Sequence, residues 1–357
     1  MTDGRKLRKI CLFLMLISVC AMLAGCRKEN KPTDETFVVK IGVLLDFTGD
    51  KTAESERMYE ACELAVDEIN EAGGVLTEKL EVVLIKKDDG GDYMNSVAGY
   101  YQLVEEGVCA VIGTNNSKGV EELIKASSNS NVPVITPSVT DDFVVDASNF
   151  VYQSCISDKY MTEALVNFAD DELEFSKAAI LYSVQDEREI SLYEDFAAAA
   201  LKQRLELAYA KELADYDTDS VKEAVTAVMN AGAKIIFVAG DLEALDTVMN
   251  EAHSRGYDGV FLVREGCVDG LATTYGYEVY APVENVRPAY DAVYFIRDAI
   301  EEGYLATPTS IALKLPFLEG STVYGEYTIG AYGNVDKSVD IWLVTDDQKS
   351  HAGTVFE

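Results

Sequence analysis

Polar side chains that could bind a charged ligand stand at the ends of several apolar runs. Ser117 follows one run and precedes a helical pattern, so it is expected at a helix N-terminus, where free N–H groups and the helix dipole favour an anion. Glu265 follows another run and could accept a charge-assisted hydrogen bond from an ammonium group. Each also has a plainer interpretation, Ser117 as an ordinary N-cap and Glu265 as one carboxylate among many. Both interpretations stay open on these residues alone.

Residues for catalysis or for metal binding are scarce by comparison. The chain has no P-loop, no GxGxxG, no GxSxG and no HExxH, and its two histidines, His253 and His351, stand far apart. No CxxC pair occurs, which argues against a zinc site and a dithiol motif. Adjacent acids such as Asp88-Asp89 and Asp141-Asp142 are expected in so acidic a chain. We therefore expect a protein that is not an enzyme and that needs no cofactor.

Alternating strand and helix patterns must position these side chains. Short β-branched runs predict strands buried on both faces, and amphipathic stretches such as "RMYEACELAVDEINEAGG" between them predict helices. This alternation implies parallel sheets covered by helices, and it occurs twice, so we expect an α/β fold of two doubly wound lobes. Ligands of such sheets bind beyond the carboxyl ends of the strands. The predicted strands are Phe37–Leu45, Leu80–Ile85, Val108–Gly113, Val132–Thr136, Ala178–Ser183, Leu205–Leu213, Lys234–Gly240 and Gly259–Val263.

The first residues have the pattern of a secretory signal. Four basic residues precede the apolar stretch Ile10–Leu23, which is shorter than the ~20 residues of a typical membrane span. The stretch ends in Leu23-Ala24-Gly25-Cys26, which resembles the lipobox of bacterial lipoproteins. That resemblance implies a signal peptide over 1–25, acylation of Cys26 and a polar tether over 26–36. An ordinary signal peptide that happens to contain a cysteine is the alternative.

Charge narrows the range of partners. The chain has a formal net charge of −32, and removal of residues 1–25 would make it more negative. Nucleic acid is therefore an improbable partner, because phosphate binding needs clustered Lys and Arg. A polybasic contact with the membrane is disfavoured too, and no second run is long enough to span one. Cys62, Cys109, Cys155 and Cys267 have apolar neighbours and are expected to be buried, although their pairing stays open.

The order of several segments resembles a known family. "VKIGVLLDFTG", "ACELAVDEINEAGG", "VCAVIGTNNS", "VPVITPSVT", "GVFLVREG" and "AYDAVYFIRDAIEEG" follow one another as in solute-binding proteins of the leucine/isoleucine/valine type, which serve ABC importers. The resemblance implies the type I fold of periplasmic binding proteins, with two lobes that close on a ligand, and ABC permease subunits as partners. We expect the first lobe over 37–154 with 285–320, and the second over 155–284 with 321–357 near the hinge.

The resemblance also assigns roles to individual residues. Ser117 matches a serine that contacts the ligand carboxylate, and Ser138 and Thr140 match a second polar loop. Glu265 matches the acidic partner of the ligand ammonium. Two positions depart from the family, since Asp241 stands where a tyrosine is common and Glu54 near a position that is usually aromatic.

Those two departures argue against a leucine-like ligand and favour a polar or cationic one. A third departure is the connection 283–288, "VENVRP", which is so short that a helix and a crossover of the family are expected to be missing. The function implied is that of a lipid-anchored, extracytoplasmic binding protein for an amino acid or similar small polar solute. A sensory or degenerate binding module without a transport role is the alternative.

The lipobox interpretation predicts the fate of a Cys26→Ala variant. Without the cysteine the chain cannot be acylated, and firm attachment needs more than one acyl chain. We expect the variant to be released into the medium or to keep its signal peptide, as measured by cell fractionation and mass spectrometry. A variant that sediments with membranes at the mature mass would contradict the interpretation.

Overall fold

The computed structural model describes residues 37–355, apart from 142–143, 145–149, 268–269, 272, 284–286, 332 and 347. The predicted signal peptide (1–25), Cys26 and the tether lie outside the described residues, so their assignment stays a prediction. In the described part, no helix is both long and apolar enough to cross a membrane.

The first sheet is entirely parallel, with strand order β2-β1-β3-β4-β5. Alternate residues of β1 pack on opposite faces: Val43 and Leu45 lie in one apolar core and Leu44 lies in another. This is why the strand reads as a continuous apolar run. The strands are β1 (Val38–Leu45), β2 (Glu81–Asp88), β3 (Ala110–Gly113), β4 (Val134–Thr136) and β5 (Val151–Gln153), and the helices between them include α1 (Thr52–Glu71), α2 (Tyr93–Glu105) and α3 (Ser117–Ser130).

The second sheet repeats this plan. Its parallel part has the order β10-β9-β8-β6-β7, and Ile180 and Leu181 of β6 lie in separate cores on its two faces. The strands are β6 (Lys177–Ser183), β7 (Glu206–Leu213), β8 (Ile235–Val238), β9 (Val260–Val263) and β10 (Val279–Val283). The helices are α4 (Asp158–Glu172), α5 (Glu187–Lys202), α6 (Thr218–Ala231) and α7 (Leu242–Ser254).

The C-terminal part of the chain serves both sheets. Helix α8 (Pro288–Gly303) and helix α9 (Pro308–Lys314) contribute to the core beside β1. The small antiparallel sheet of β11 (Glu319–Thr322), β12 (Gly325–Ile329) and β13 (Val335–Asp336) contributes Tyr327, Ile329 and Val335 to that same core. β14 (Val339–Val344) and β15 (Lys349–Val355) then extend the second sheet in antiparallel fashion. β12 and β13 belong to the segment 321–357 that is expected near the hinge and the second lobe, but they pack with the first sheet.

The chain crosses between the two sheets three times. It leaves the first sheet after β5 and enters α4, returns from β10 to α8, and crosses again between β13 and β14. The second crossing lies between β10, in the second sheet, and α8, in the core beside β1, so the expectation that the short connection lacks a crossover is wrong. The expectation that a helix is missing there falls on 284–286, which lie outside the described residues, and it stays a prediction.

The four cysteines of the described part are buried and form no disulfide with one another. Burial raises the pKa of Cys62 and Cys267, and it raises that of Cys109 to about 12. Their predicted burial is confirmed.

A buried ion pair joins the third crossing to the first lobe. Lys337, between β13 and β14, donates from Nζ to Oδ2 of Asp291 in α8 at 2.6 Å, and both side chains are almost fully buried. Oδ1 of Asp291 has no hydrogen-bond partner within the described part of the chain. This one buried ion pair therefore supplies the electrostatic contact between the third crossing and α8.

Removing one member of this pair should be costly, because it leaves an uncompensated buried charge. We expect Asp291→Asn to lower the free energy of unfolding by about 3 kcal/mol or more, measured by urea denaturation with circular dichroism. The control is Glu163→Gln, which breaks the exposed pair of Glu163 with Lys202 and should cost at most about 1 kcal/mol. The double variant Asp291→Leu/Lys337→Met should recover much of the loss. Equal stability of Asp291→Asn and the parent protein would contradict this account.

Candidate functional site

The carboxyl ends of strands from both sheets supply the candidate site. The loop after β4 and the start of α4 lie together, since the Asp158 N–H donates to the Thr140 carbonyl at 3.2 Å. Side chains that follow β3, β6, β8 and β9 gather around this contact, as expected for a ligand site of parallel sheets. The residues concerned are Ser117, Ser138, Thr140, Asp141, Asp158, Arg188, Asp241 and Glu265.

Ser117 is the first residue of α3, and its neighbour Asn116 is the cap. The Asn116 side chain accepts from the Gly119 N–H at 2.9 Å, so the interpretation of Ser117 as the N-cap is wrong. Ser117 is exposed, and its hydroxyl donates to Oδ2 of Asp141 at 2.7 Å. The position predicted to hold an anion thus faces a carboxylate of the protein itself.

The loop after β4 presents an unusual hydroxyl. Ser138 Oγ is buried and finds no hydrogen-bond partner among the described residues. Buried polar atoms are normally paired, so an unpaired hydroxyl in the loop after β4 is suited to a polar ligand atom. Nearby, the Gln153 side chain donates to the carbonyls of Val139 and Asp141 at 2.8 and 3.1 Å and holds the loop in place.

Arg188, at the start of α5, is the principal cation of this region. Its Nε and Nη2 donate to Oδ2 and Oδ1 of Asp158 at 2.6 and 2.7 Å, a bidentate pair. The Arg188 side chain is 37% exposed and that of Asp158 only 12%. Burial lowers the pKa of Arg188, but the hydrogen bonds and charge of Asp158, followed by the charges of Glu265 and Asp141, raise it above its ordinary value. One guanidinium therefore lies near three carboxylates.

Cys267 is buried in the second lobe, at the side of the candidate site that this lobe contributes. Its Sγ donates to the Gly240 carbonyl at 3.5 Å. Burial raises the pKa of this thiol, and the charges of Arg264, Asp241, Arg188 and Glu265 act on it as well. Asp241, Arg188 and Glu265 therefore share one neighbourhood, although α7, α5 and the loop after β9 supply them separately.

Asp241 also borders an acidic cavity of about 480 Å³ at this edge of the second sheet. Its side chain caps α7 by accepting from the Ala244 N–H at 3.0 Å. Deeper in the wall, Glu189 accepts from the Ser183 N–H and the Tyr216 hydroxyl, both at 2.7 Å. Burial raises the pKa of Glu189, although these two hydrogen bonds oppose the rise. The carboxylates that line the cavity are Asp186, Glu189, Asp215, Asp241 and Glu243.

Glu54 lies in a different cavity, of about 440 Å³, in the first lobe. It belongs to the first turn of α1 and shares the cavity with Arg57 and Arg287. The structure therefore groups Ser117, Asp241 and Glu265 with Arg188 and Asp141, and it shows no contact of Glu54 with that group among the described residues.

Sequence reasoning missed Asp141, Asp158 and Arg188. Arg188 stands five residues after the predicted strand Ala178–Ser183. The rule that ligands bind beyond the carboxyl ends of parallel strands therefore applies to Arg188 as it does to Glu265. Asp141 was set aside as an ordinary adjacent acid, because nothing in the sequence reports its hydrogen bond with Ser117.

Within the described ranges, no group of three or more His, Cys, Asp or Glu side chains has the geometry for a metal ion.

Comparison with known proteins places this geometry in context. A family model described as periplasmic binding protein matches residues 38–314. A Leu/Ile/Val-binding protein homolog from Brucella melitensis is 25% identical over 229 residues, which are 64% of this chain and 61% of the relative. A leucine-, isoleucine-, valine-, threonine-, and alanine-binding protein from Pseudomonas aeruginosa is 22% identical, with 82% of this chain and 85% of that protein covered. The chain thus spans less than two thirds of the first of these relatives.

Solved structures share the fold. An ABC-type branched-chain amino acid transporter protein from Rhodopseudomonas palustris aligns with a TM-score of 0.78 at 14% identity, covering 89% of this chain and 96% of that one. A substrate-binding protein from Desulfitobacterium hafniense in complex with Leu aligns with a TM-score of 0.74 at 21% identity, covering 88% and 100%. At these identities the likeness shows the fold alone, and it confirms the prediction of two α/β lobes of type I.

The match of the family model to most of the chain also settles the general class. Proteins of this class act outside the cytoplasm and bind solutes without transforming them, in agreement with the expectation that the chain is not an enzyme. The chain belongs to the periplasmic binding protein family.

Proposed function

We propose that this protein is the solute-binding component of an ABC importer and that it binds an amino acid or a similar small polar solute between its two lobes. The observation that carries the proposal is the convergence of Asp141, Arg188 and Glu265, which follow separate strands of both sheets. A site divided between two lobes gains all of its contacts only when the lobes close, which couples binding to a change of shape.

The three crossings provide the places where such a change can occur. A rotation of one lobe against the other needs only a few residues to absorb the change in φ and ψ. The first crossing borders the site through the contact of Thr140 with Asp158. The third is tied to α8 by the pair of Lys337 with Asp291. Ligand contacts and hinge contacts therefore lie on neighbouring stretches of chain, and ABC permease subunits would recognise the closed form.

The side chains present suit a ligand with an ammonium group. Glu265 supplies a carboxylate, and Ser138 Oγ, buried and without a partner among the described residues, can accept a hydrogen bond. Asp241 adds an acceptor at the edge of the acidic cavity. Thr140 and Ser117 border the same region from the first lobe. Glu54 lines the cavity of the first lobe that Pro137, the neighbour of Ser138, also lines, and it is the remaining candidate ligand-binding residue.

The N-terminal pattern suggests how the protein is retained at the cell surface. Acylation of Cys26 after removal of residues 1–25 would anchor it outside the cytoplasmic membrane, and the polar residues 27–36 would separate the lobes from the lipid. No nucleic acid and no cofactor is part of this proposal.

A binding screen tests the proposed function directly. The purified protein is heated with amino acids, amines, amides and short peptides, because a ligand that prefers the folded state raises the melting temperature by mass action. We expect at least one small polar solute to do so, and disruption of the chromosomal copy to reduce uptake of that solute by cells. Binding without any change in uptake would favour the sensory alternative over transport.

Glu265→Gln tests the role of the carboxylate. The substitution preserves size and removes charge, so it should weaken binding of the tightest ammonium ligand by about 1.5–3 kcal/mol, the value of a hydrogen bond to a charged group. Isothermal titration calorimetry measures the change. The control is Glu174→Gln, an exposed carboxylate that precedes β6 at the opposite edge of the second sheet, and it should leave affinity unchanged. Unaltered affinity in Glu265→Gln, or tight binding of leucine with no binding of polar solutes, would refute this description of the site.

A further inference from the structure

The start of α3 already holds an anion of the protein. Ser117 donates its hydroxyl to Asp141 at 2.7 Å, at the position where the ligand carboxylate was expected. A helix N-terminus and a hydroxyl donor stabilise one carboxylate well. A ligand that brought a second carboxylate to this position would have to displace Asp141, whose charge would then repel it.

The guanidinium of the site is engaged in the same way. Arg188 uses two of its five N–H donors in the bidentate pair with Asp158, so a carboxylate of the chain already occupies one bidentate edge of this guanidinium. Asp141 and Glu265 lie close enough to act on this guanidinium too. Arg264 adds a second guanidinium, since its charge acts on Cys267 together with those of Asp241, Arg188 and Glu265. Two positive charges therefore face the carboxylates of Asp141, Asp158, Asp241 and Glu265, and this excess of carboxylates disfavours an additional anion and favours a cation.

The neighbouring cavity of the second lobe is also lined by negatively charged side chains. Five carboxylates line it, and Asp241 stands both at its border and near Arg188. On the first lobe, Ser138 Oγ is buried without a partner in the described part of the chain, and a hydroxyl oxygen can accept from an N–H donor. Donor groups of a ligand would thus find acceptors on both sides.

We propose that Asp141 is a specificity-determining residue that takes the place of a ligand carboxylate, so that the cleft selects a cationic amine without a carboxylate, such as a diamine or a guanidino amine. The inference rests on the proposed function, since it names the ligand class of the same cleft. The amine would be held by Glu265, Asp141 and the carboxylates that border Asp241. Selection against amino acids would come from like-charge repulsion, which is an effective means of rejecting a wrong ligand.

Matched pairs of compounds that differ only in the carboxylate test the proposal. Agmatine is compared with arginine and cadaverine with lysine, by thermal shift and calorimetry on the purified protein, with leucine as a further comparison. We expect each amine to bind about tenfold to a hundredfold more tightly than its amino acid, the range given by one charge-assisted contact. Arginine, lysine or leucine binding as tightly as the amines would overturn this inference and leave the proposed function intact. Failure of every compound in the wider screen would overturn both.

A substitution at Asp141 supplies an independent test. Asp141→Asn keeps a side chain of the same size beside Ser117 and removes the charge, so we expect the amines to bind about tenfold more weakly and the ratio of amine to amino acid affinity to fall. Glu174→Gln is again the control and should leave the ratio unchanged. An unchanged ratio in Asp141→Asn would show that Asp141 does not set specificity. A circular dichroism melt of each variant separates loss of binding from loss of folding.

Discussion

Parallel pairing of the strands is the constraint on which the candidate site depends. When every strand of a sheet runs in the same direction, the loops that follow the strands emerge at one edge, whatever their sequence. β3 and β4 of the first sheet and β6, β8 and β9 of the second deliver their following residues to such edges. The contact of Thr140 with Asp158 and the interaction of Asp141 with Arg188 join the two edges. Residues as distant in sequence as Ser117 and Glu265 are brought to one region for this reason.

Electrostatics then decides what this edge can bind. Asp158 is more buried than Arg188 and would be costly to leave without a partner, so the pair forms a fixed part of the wall. Asp141 and Glu265 approach the same guanidinium from the first and second lobes. The result is an excess of carboxylates around one guanidinium, which can affect the choice of ligand. The net negative charge of the whole chain, by contrast, affects solubility. A ligand site can therefore be cation-selective although its most conspicuous side chain is an arginine.

Sequence predicts the strands well and the site only in part. β1, β6 and β9 begin and end within one residue of the prediction, because β-branched runs buried on two faces have few alternatives. β5 was missed, since its three residues, Val151–Gln153, form too short a run to stand out. Ser117 and Glu265 could be found because they follow strands directly. Their partners could not, because the bonds of Asp141 with Ser117 and of Arg188 with Asp158 depend on loop geometry that no local pattern records.

Similarity of sequence likewise reports the fold better than the site, and this limits what the relatives say about the ligand. The chain is 25% identical to a Leu/Ile/Val-binding protein homolog and 22% identical to a leucine-, isoleucine-, valine-, threonine-, and alanine-binding protein. Specificity depends on a handful of side chains at the strand ends, and function is carried by such sites rather than by the fold. Asp241 and the pair of Asp158 with Arg188 present charge where an aliphatic side chain would need apolar surface. A hydrophobic ligand would have to desolvate these groups without replacing their interactions, which is why we propose a charged solute for this cleft.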